Sequence, residues 1–311
     1  MNLSVRQELS ELARKSVLHW DCPLRGNTTF DIGGPAAALV EIEDADELQQ
    51  ILTVVTRNNI AWRVIGRGSN LLVADQGFDG VILLFGRNFG TIETLGGEDG
   101  DHVLIRVGAG CSMSRLVDWC CAEGLTGVEF LTGIPGTVGG GVVMNVGAWG
   151  FSLAERLKSL TLLEADGAMR EIPRAELDFD YRLWRDKQIG GRLRVVMAAD
   201  LSLERDESQV IKRRCRELRN QRISKQPRSM KNAGSFFKNP PGAAAGRLID
   251  QCGLKGLRQG GAMVSEEHGN FLVNTGGATA GDVRTLMVRI QARVKEQFGV
   301  ELEPEVHFIG F

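Results

Sequence analysis

The stretch Gly133 to Gly150, GIPGTVGGGVVMNVGAWG, limits what this chain can fold into more than any other. Seven of its eighteen residues are glycine, and no charged residue stands between Glu129 and Glu155. A loop facing water normally carries charge, so a neutral, glycine-dense one is expected to lie against something. Glycine admits positive φ and lets backbone N–H groups come close to a partner that a Cβ would hold away. A large cofactor with a phosphate or a flat ring meets that description. Pro135 fixes one φ and Asn145 supplies an amide. A tightly packed turn between two elements would also be neutral, but it would not need glycine at this density.

At 311 residues the chain is long enough for two or three domains. Its formal net charge of −2 argues against nucleic acid or an anionic membrane as the main partner. No apolar run has the length of a membrane span. The N-terminal MNLSVRQELSELARK has an amphipathic helix pattern with Ser4 and Gln7 as a capping box, and it does not have the pattern of a signal peptide. A soluble, cytoplasmic monomer is expected. The six cysteines, at 22, 111, 120, 121, 215 and 252, contain no CxxC pair and do not group with histidines. Cys120 and Cys121 read as buried apolar thiols beside Trp119, and neither a structural metal nor a disulfide framework is expected.

Along the chain, DADELQQILTVVTRNN (44–59) predicts a helix begun by Asp44 and Glu47, with Leu48, Ile51, Leu52 and Val55 on one face. Residues 61–85 read as strand, glycine loop, strand, turn, strand. The loop Gly66-Arg67-Gly68-Ser69-Asn70 offers backbone donors, a hydroxyl and an amide at a strand end, a set suited to a pyrophosphate. It lacks the Lys-Ser/Thr pair of a P-loop and is not a GxGxxG fingerprint, and taken alone a tight strand–strand turn fits it equally. Alternation over 91–110 predicts strands with a hairpin tip from Gly96-Gly97 to Gly100. Ser112 to Glu123 reads as a helix ended by Gly124, and Asp166-Gly167 as a hairpin turn. Strands are expected over 178–184 and 193–203.

From Glu204 to Lys231 ten Lys or Arg face four acids, mostly on a helix pattern over 206–222. This is either a solvated basic face or a positive rim for a phosphorylated substrate. AGSFFKNPPG (233–242) reads as a compact loop. A helix over 278–299 is expected to start at Thr279 and Asp282 and end at Gly299, with a final strand over 302–310. The pattern as a whole is α+β.

The motifs GRGSNLLV, GIPGTVGG with MNVGAWG, DFDYR, NAGSFFKNP, AGRLIDQCGLKG, VSEEHGNFLVN and LEPEVHFIG stand in the order seen in UDP-N-acetylenolpyruvoylglucosamine reductases. The resemblance covers Asn27 to Gly310. It implies a two-lobed FAD-binding region of the vanillyl-alcohol-oxidase (PCMH) type, with lobes at 1–86 and 87–203. A C-terminal α+β substrate domain follows at 204–298, then a segment at 299–311 that carries a catalytic glutamate. The short spacing between Lys238-Asn239-Pro240 and Arg247-Leu248-Ile249 resembles the shorter class, which lacks an inserted tyrosine loop.

By that resemblance, FAD is held by Gly66, Arg67, Gly68, Ser69 and Asn70. Gly133, Ile134, Pro135, Gly136, Thr137, Gly139, Asn145, Gly147 and Ala148 complete the cofactor set. NADPH reduces the flavin, hydride passes to C3 of the enolpyruvyl group of UDP-N-acetylglucosamine enolpyruvate, and Ser235 gives the proton at C2. Arg182 and a protonated Glu305 steady the charge that spreads onto the substrate carboxylate. Asn239, assisted by Lys238, is expected at the diphosphate or uracil; any of Arg222, Lys225 and Arg228 could add phosphate contacts. The product would be UDP-N-acetylmuramate for peptidoglycan. The sequence departs from the family at Trp184, where serine is usual, at Trp149 (tyrosine), Val146 (alanine) and Gly269 (alanine). An FAD oxidoreductase of the same fold acting on another small molecule, or a flavin-binding protein that has lost catalysis, are the competing readings.

Overall fold

Helix ends follow local chemistry closely. In the computed structural model, which describes residues 1–97, 102–164, 166–185, 188–189, 192–227 and 230–311, seven α-helices lie among those residues. They are α1 (Leu3–Leu12), α2 (Ala45–Arg57), α3 (Met113–Glu123), α4 (Val138–Val143), α5 (Ser208–Ile223), α6 (Ala245–Gln251) and α7 (Ala280–Phe298). Asp44 caps α2 by accepting from the N–H groups of Asp46 and Glu47. Ser112 caps α3 through Arg115 N–H, and Gly124 ends it in the left-handed region at φ 66°. Thr279 and Asp282 form a capping box on α7, which Gly299 closes at φ 69°.

The expected box at Ser4 does not form. Asn2 takes its place, its Oδ1 accepting from Val5 N–H at 2.9 Å. Asparagine caps as well as serine, and the earlier start puts Val5 and Leu9, four apart, on the buried face.

A four-stranded sheet has the order Val17–Pro23, Pro35–Ile42, Phe78–Phe85, Ala61–Ile65. Contacts divide the chain into two compact units. The first holds Met1–His19, Leu39–Gly66 and Val81–Asn220, the second Trp20–Ala38, Arg67–Gly80 and Gln221–Phe311. The boundary after Gly66 falls inside the GRGSN loop.

The first unit is built on an antiparallel sheet ordered Met169–Pro173, Leu157–Leu163, Val195–Arg205, His102–Gly108, Ile92–Gly97, with Leu125–Thr126 pairing beside Val195–Arg205. Alternation turns Val103, Ile105 and Val107 inward, where they share a core with Leu116, Val117 and Cys120 of α3. The Gly167 turn takes φ 82° as its hairpin requires; Gly100 of the other expected tip lies outside the described residues.

The second unit carries an antiparallel sheet ordered Lys231–Ser235, Phe271–Asn274, Ala262–Val264, Arg258–Gln259. Its core joins Phe236, Phe237, Leu272 and Val264 to Val283, Leu286 and Ile290 of α7. These last three recur at helical spacing, as expected. The final strand is shorter than expected: His307–Ile309 pairs, in parallel, with Leu71–Val73, and Pro304 makes a single antiparallel bridge to Phe237.

Candidate active site

The first unit holds the whole of the glycine-dense stretch, and part of it is helical where a loop is expected. Thr137 caps α4, its Oγ1 accepting from Gly140 N–H at 3.4 Å. Three successive glycines in a helix cost roughly 1 kcal/mol each against alanine, so each needs a reason. Two have one within the chain. A Cβ on Gly139 would stand 2.8 Å from the Ala109 Cβ, and one on Gly141 would stand 2.1 Å from Met113 Cε. Gly140 is different: it is exposed, and a Cβ there would meet nothing closer than Thr137 Oγ1 at 3.5 Å. A bare backbone kept open on the outer side of a neutral turn is what a bound flat or phosphorylated group would need. The spacing of the sequence does not single out Gly140.

The GRGSN loop adjoins this turn. A Cβ on Gly66 would lie 2.5 Å from Thr137 Oγ1, so two segments far apart in sequence come together here in the first unit. In the second unit Gly68 takes φ 60°, and a Cβ on it would be 2.1 Å from the Asn27 carbonyl oxygen. Asn70 donates from Nδ2 to the Glu305 carbonyl at 3.0 Å and accepts from His307 N–H at 3.0 Å. The donor set and the absent Cβ atoms fit FAD. A Gly68→Ala chain is therefore expected to purify with much less flavin, because alanine pays roughly 1–2 kcal/mol for the left-handed backbone and displaces residue 27 as well. The flavin-to-protein absorbance ratio measures this. Gly26→Ala, where a Cβ meets nothing within 4 Å, serves as the control.

Residues 178–184 do not form one strand. Phe179–Asp180 pairs with Leu183–Trp184 as a tight hairpin, leaving Tyr181 and Arg182 at the turn. Arg182 sits at φ 55°, a backbone that costs a non-glycine residue on the order of 1 kcal/mol and persists only where the surroundings impose it. The surroundings come from MNVGAWG. Arg182 Nη2 donates to the Gly147 carbonyl at 2.9 Å, and its guanidinium lies 5.0 Å from the Tyr181 ring centroid. Asn145 is buried; its Nδ2 donates to the Asp180 carbonyl at 3.0 Å and its Oδ1 accepts from Ala154 N–H at 3.1 Å. Asn145 thus ties the turn that presents Arg182 at one amide end and is itself held by Ala154 at the other.

In the second unit Ser235 ends the strand Lys231–Ser235 at a bulge, next to Gly234 at φ 76°. Two partners hold the residues that follow it. The buried side chain of Asn270 accepts from Phe237 N–H and donates to the Phe237 carbonyl, while its own carbonyl accepts from Phe236 N–H. On the other side Glu305 N–H donates to the Phe236 carbonyl at 2.8 Å and Lys238 N–H to the Glu303 carbonyl at 2.9 Å. Ser235 and Glu305, some seventy residues apart in sequence, are therefore carried on neighbouring positions of one backbone ladder.

Sequence reasoning assigned no role to Asn270 or to His268. The His268 ring packs edge-on against Phe271 and accepts from Asn270 N–H at 3.1 Å; burial, followed by the charge of Lys255, lowers its pKa. An amide or imidazole beside a candidate site looks like any other in sequence, and only the fold reveals what it clamps.

The other candidates are placed as follows. Asn239 Oδ1 accepts from Ala245 N–H at the start of α6, and Lys238 Nζ lies 3.2 Å from Glu303 in an exposed pair. Arg222 is half-buried, and burial lowers its pKa; Lys225 is exposed. Arg228 lies outside the described residues.

Two protein-family models match the chain: an FAD binding domain over residues 36–173 and the C-terminal domain of UDP-N-acetylenolpyruvoylglucosamine reductase over 226–309. A UDP-N-acetylenolpyruvoylglucosamine reductase of Desulfosudis oleivorans is 41% identical over 314 residues, covering 100% of both chains. The chain belongs to the UDP-N-acetylenolpyruvoylglucosamine reductase family. The reductase of Bacillus subtilis is 40% identical over 98% of each chain. The crystal structure of the reductase from Thermus caldophilus superposes with a TM-score of 0.79 at 39% identity, over 94% of this chain and 98% of that one. The family and the α+β fold with its FAD-binding region stand as the motifs implied.

Within the reductase family, the departures at Gly269, Trp184 and Val146 are accommodated by packing here, and nothing in the structure explains Trp149. A Cβ on Gly269 would be 2.6 Å from the Gly246 carbonyl oxygen, so the packing of α6 excludes the usual alanine. Trp184 is fully buried and stacks on Phe179 at 5.9 Å, and its Nε1 makes no hydrogen bond. Its indole therefore packs in the core and does not replace the hydrogen-bonding group of a serine. Val146 joins the core of the first unit, and Trp149 stays 39% exposed at φ 59°. Among the described residues no group of three His, Cys, Asp or Glu could hold a metal ion, and no helix is long and apolar enough to cross a membrane.

Proposed function

We propose that this chain reduces the enolpyruvyl group of UDP-N-acetylglucosamine enolpyruvate to give UDP-N-acetylmuramate for peptidoglycan. The ladder that sets Ser235 beside Glu305 carries the reading. Bound FAD, reduced by NADPH, supplies the hydride. The chain supplies the rest. Gly66–Asn70, Gly133–Thr137 and the open backbone at Gly140 seat the cofactor. Ser235 holds a proton for C2; a serine hydroxyl is a weak acid, and it serves only because the carbanion it meets is strongly basic. Arg182, braced by Gly147 and Asn145, and Glu305 hold the charge that develops on the substrate carboxylate. Asn239, assisted by Lys238, is assigned to the uridine diphosphate portion, with further phosphate contacts from among Arg222, Lys225 and Arg228. The lobes at 1–86 and 87–203 take the cofactor and 204–298 the substrate. The enzyme works as a cytoplasmic monomer whose product supports wall growth, cell shape and division.

The test is direct. The purified protein should show a flavin spectrum and oxidise NADPH beyond one equivalent per flavin only when the enolpyruvyl substrate is present. A protein that stays colourless after incubation with FAD would overturn the reading. A flavin spectrum with NADPH oxidation indifferent to that substrate would favour another FAD oxidoreductase.

A further inference from the structure

The mechanism uses none of the six cysteines, but two of them meet. Cys121, buried at the end of α3, has its Sγ 3.6 Å from that of Cys215 on α5, which is half-buried. The two helices are fixed at this point by other contacts. Ser208 Oγ donates to the Cys121 carbonyl at 2.5 Å, and Asp206 N–H donates to the Gly124 carbonyl at 2.9 Å. Arg214 reaches Asp206 at 2.7 Å and Glu129 at 3.5 Å. Ile211, one turn before Cys215, is buried in the core of the first unit. The sulfurs therefore sit in contact within a rigid frame, and a disulfide asks for an approach of about 1.5 Å by rotamer adjustment, toward the usual bond length.

We infer that Cys121 and Cys215 form an oxidisable pair, closed by a peroxide into a disulfide that staples α3 to α5. Exposure assigns the order. Peroxide reaches the half-buried Cys215 first: its thiolate takes one oxygen from hydrogen peroxide, the O–O bond breaks, and hydroxide leaves, giving a sulfenic acid. The Cys121 sulfur then attacks the sulfenic sulfur. The S–O bond breaks, the S–S bond forms, and the Cys121 proton leaves with the hydroxyl as water. Two thiols have lost two electrons and the peroxide has gained them. Burial and the hydrogen bond shared with Cys215 push the Cys121 thiol up to about 12, so it stays protonated until this second step. The bond would close a loop of 94 residues, which restricts mainly the unfolded chain.

The experiment treats the full-length protein with hydrogen peroxide, blocks remaining thiols with an alkylating agent, and maps peptides without reduction. The expected result is one intramolecular crosslink joining the Cys121 and Cys215 peptides, a mass lower by about 2 Da before alkylation, and a melting temperature several degrees higher that dithiothreitol returns to its starting value. Cys215→Ser should abolish all three. Recovery of Cys121 as the alkylated thiol with Cys215 oxidised to sulfinic acid would overturn the proposal, and so would a crosslink through Cys22 or Cys252 in its place. The wild-type map decides the matter even if the variant fails to fold, and the result is independent of the enzymatic reading.

Discussion

Replacing Ser235 with alanine is expected to leave reduction of the bound flavin by NADPH intact and to slow its reoxidation by the enolpyruvyl substrate about 10²- to 10⁴-fold. The split follows from where the residue sits. Ser235 stands on a strand end held on one side by Asn270 and on the other by Glu305, in the second unit. Its backbone partners do not involve the hydroxyl, so the substitution removes a proton donor without loosening the ladder. Following the flavin absorbance through each half-reaction separates the two effects, and an unchanged melting temperature confirms that the ladder survives. Reoxidation at the wild-type rate would end the proton-donor assignment.

Arg182→Lys should cut kcat on the order of 10²- to 10³-fold, the range seen when one donor to a developing charge is lost, while the flavin spectrum and the reduction by NADPH stay as they are. Lysine keeps the positive charge but not the planar fork. Arg182 uses one arm of that fork on the Gly147 carbonyl and lies against the Tyr181 ring. An ammonium has donors enough for both but no rigid fork to hold the anchor and a carboxylate in one fixed geometry. Asn145→Ala should move the same rate constant in the same direction by less, since it loosens the turn without touching the guanidinium. Normal reoxidation in Arg182→Lys would show that charge alone suffices and that the anchored geometry is irrelevant.

What could be read in the sequence was what is local. The starts and stops at Asp44, Ser112, Gly124, Thr279 and Gly299 depend on a few neighbouring residues, and each lies where the pattern places it. The α7 face was legible because burial recurs at helical spacing. The hairpin at 179–184 was not, because its turn uses Tyr181 and Arg182 where a glycine or asparagine would have announced it. The strain at Arg182 is set by the distant Asn145 and Gly147, which no local pattern encodes. The bridge that the Asn145 side chain makes between Asp180 and Ala154 is likewise invisible to local pattern. In the same way the open backbone at Gly140 stands out only beside Gly139 and Gly141, where an added Cβ would meet Ala109 and Met113 while its own would be free. The family motifs made the chemistry legible earlier than the geometry could.

The pairing of residues 303–309 with two remote segments also bears on how the second unit is made. Asn70 and Glu305 are 235 positions apart, yet the Asn70 loop, the strand Leu71–Val73 and the residues after Ser235 all complete their backbone bonds on this one segment. Contacts of such separation are among the slowest to form, because the loop entropy is lost before any bond returns it. A nascent chain emerging from the ribosome holds Asn70 and Ser235 long before it holds their common partner. Until that partner arrives, the edge of Leu71–Val73 is a strand without its neighbour, open to the wrong one. Assembly of this unit is thus a late, nearly single event in the life of the chain, and chaperone dependence should concentrate in that interval.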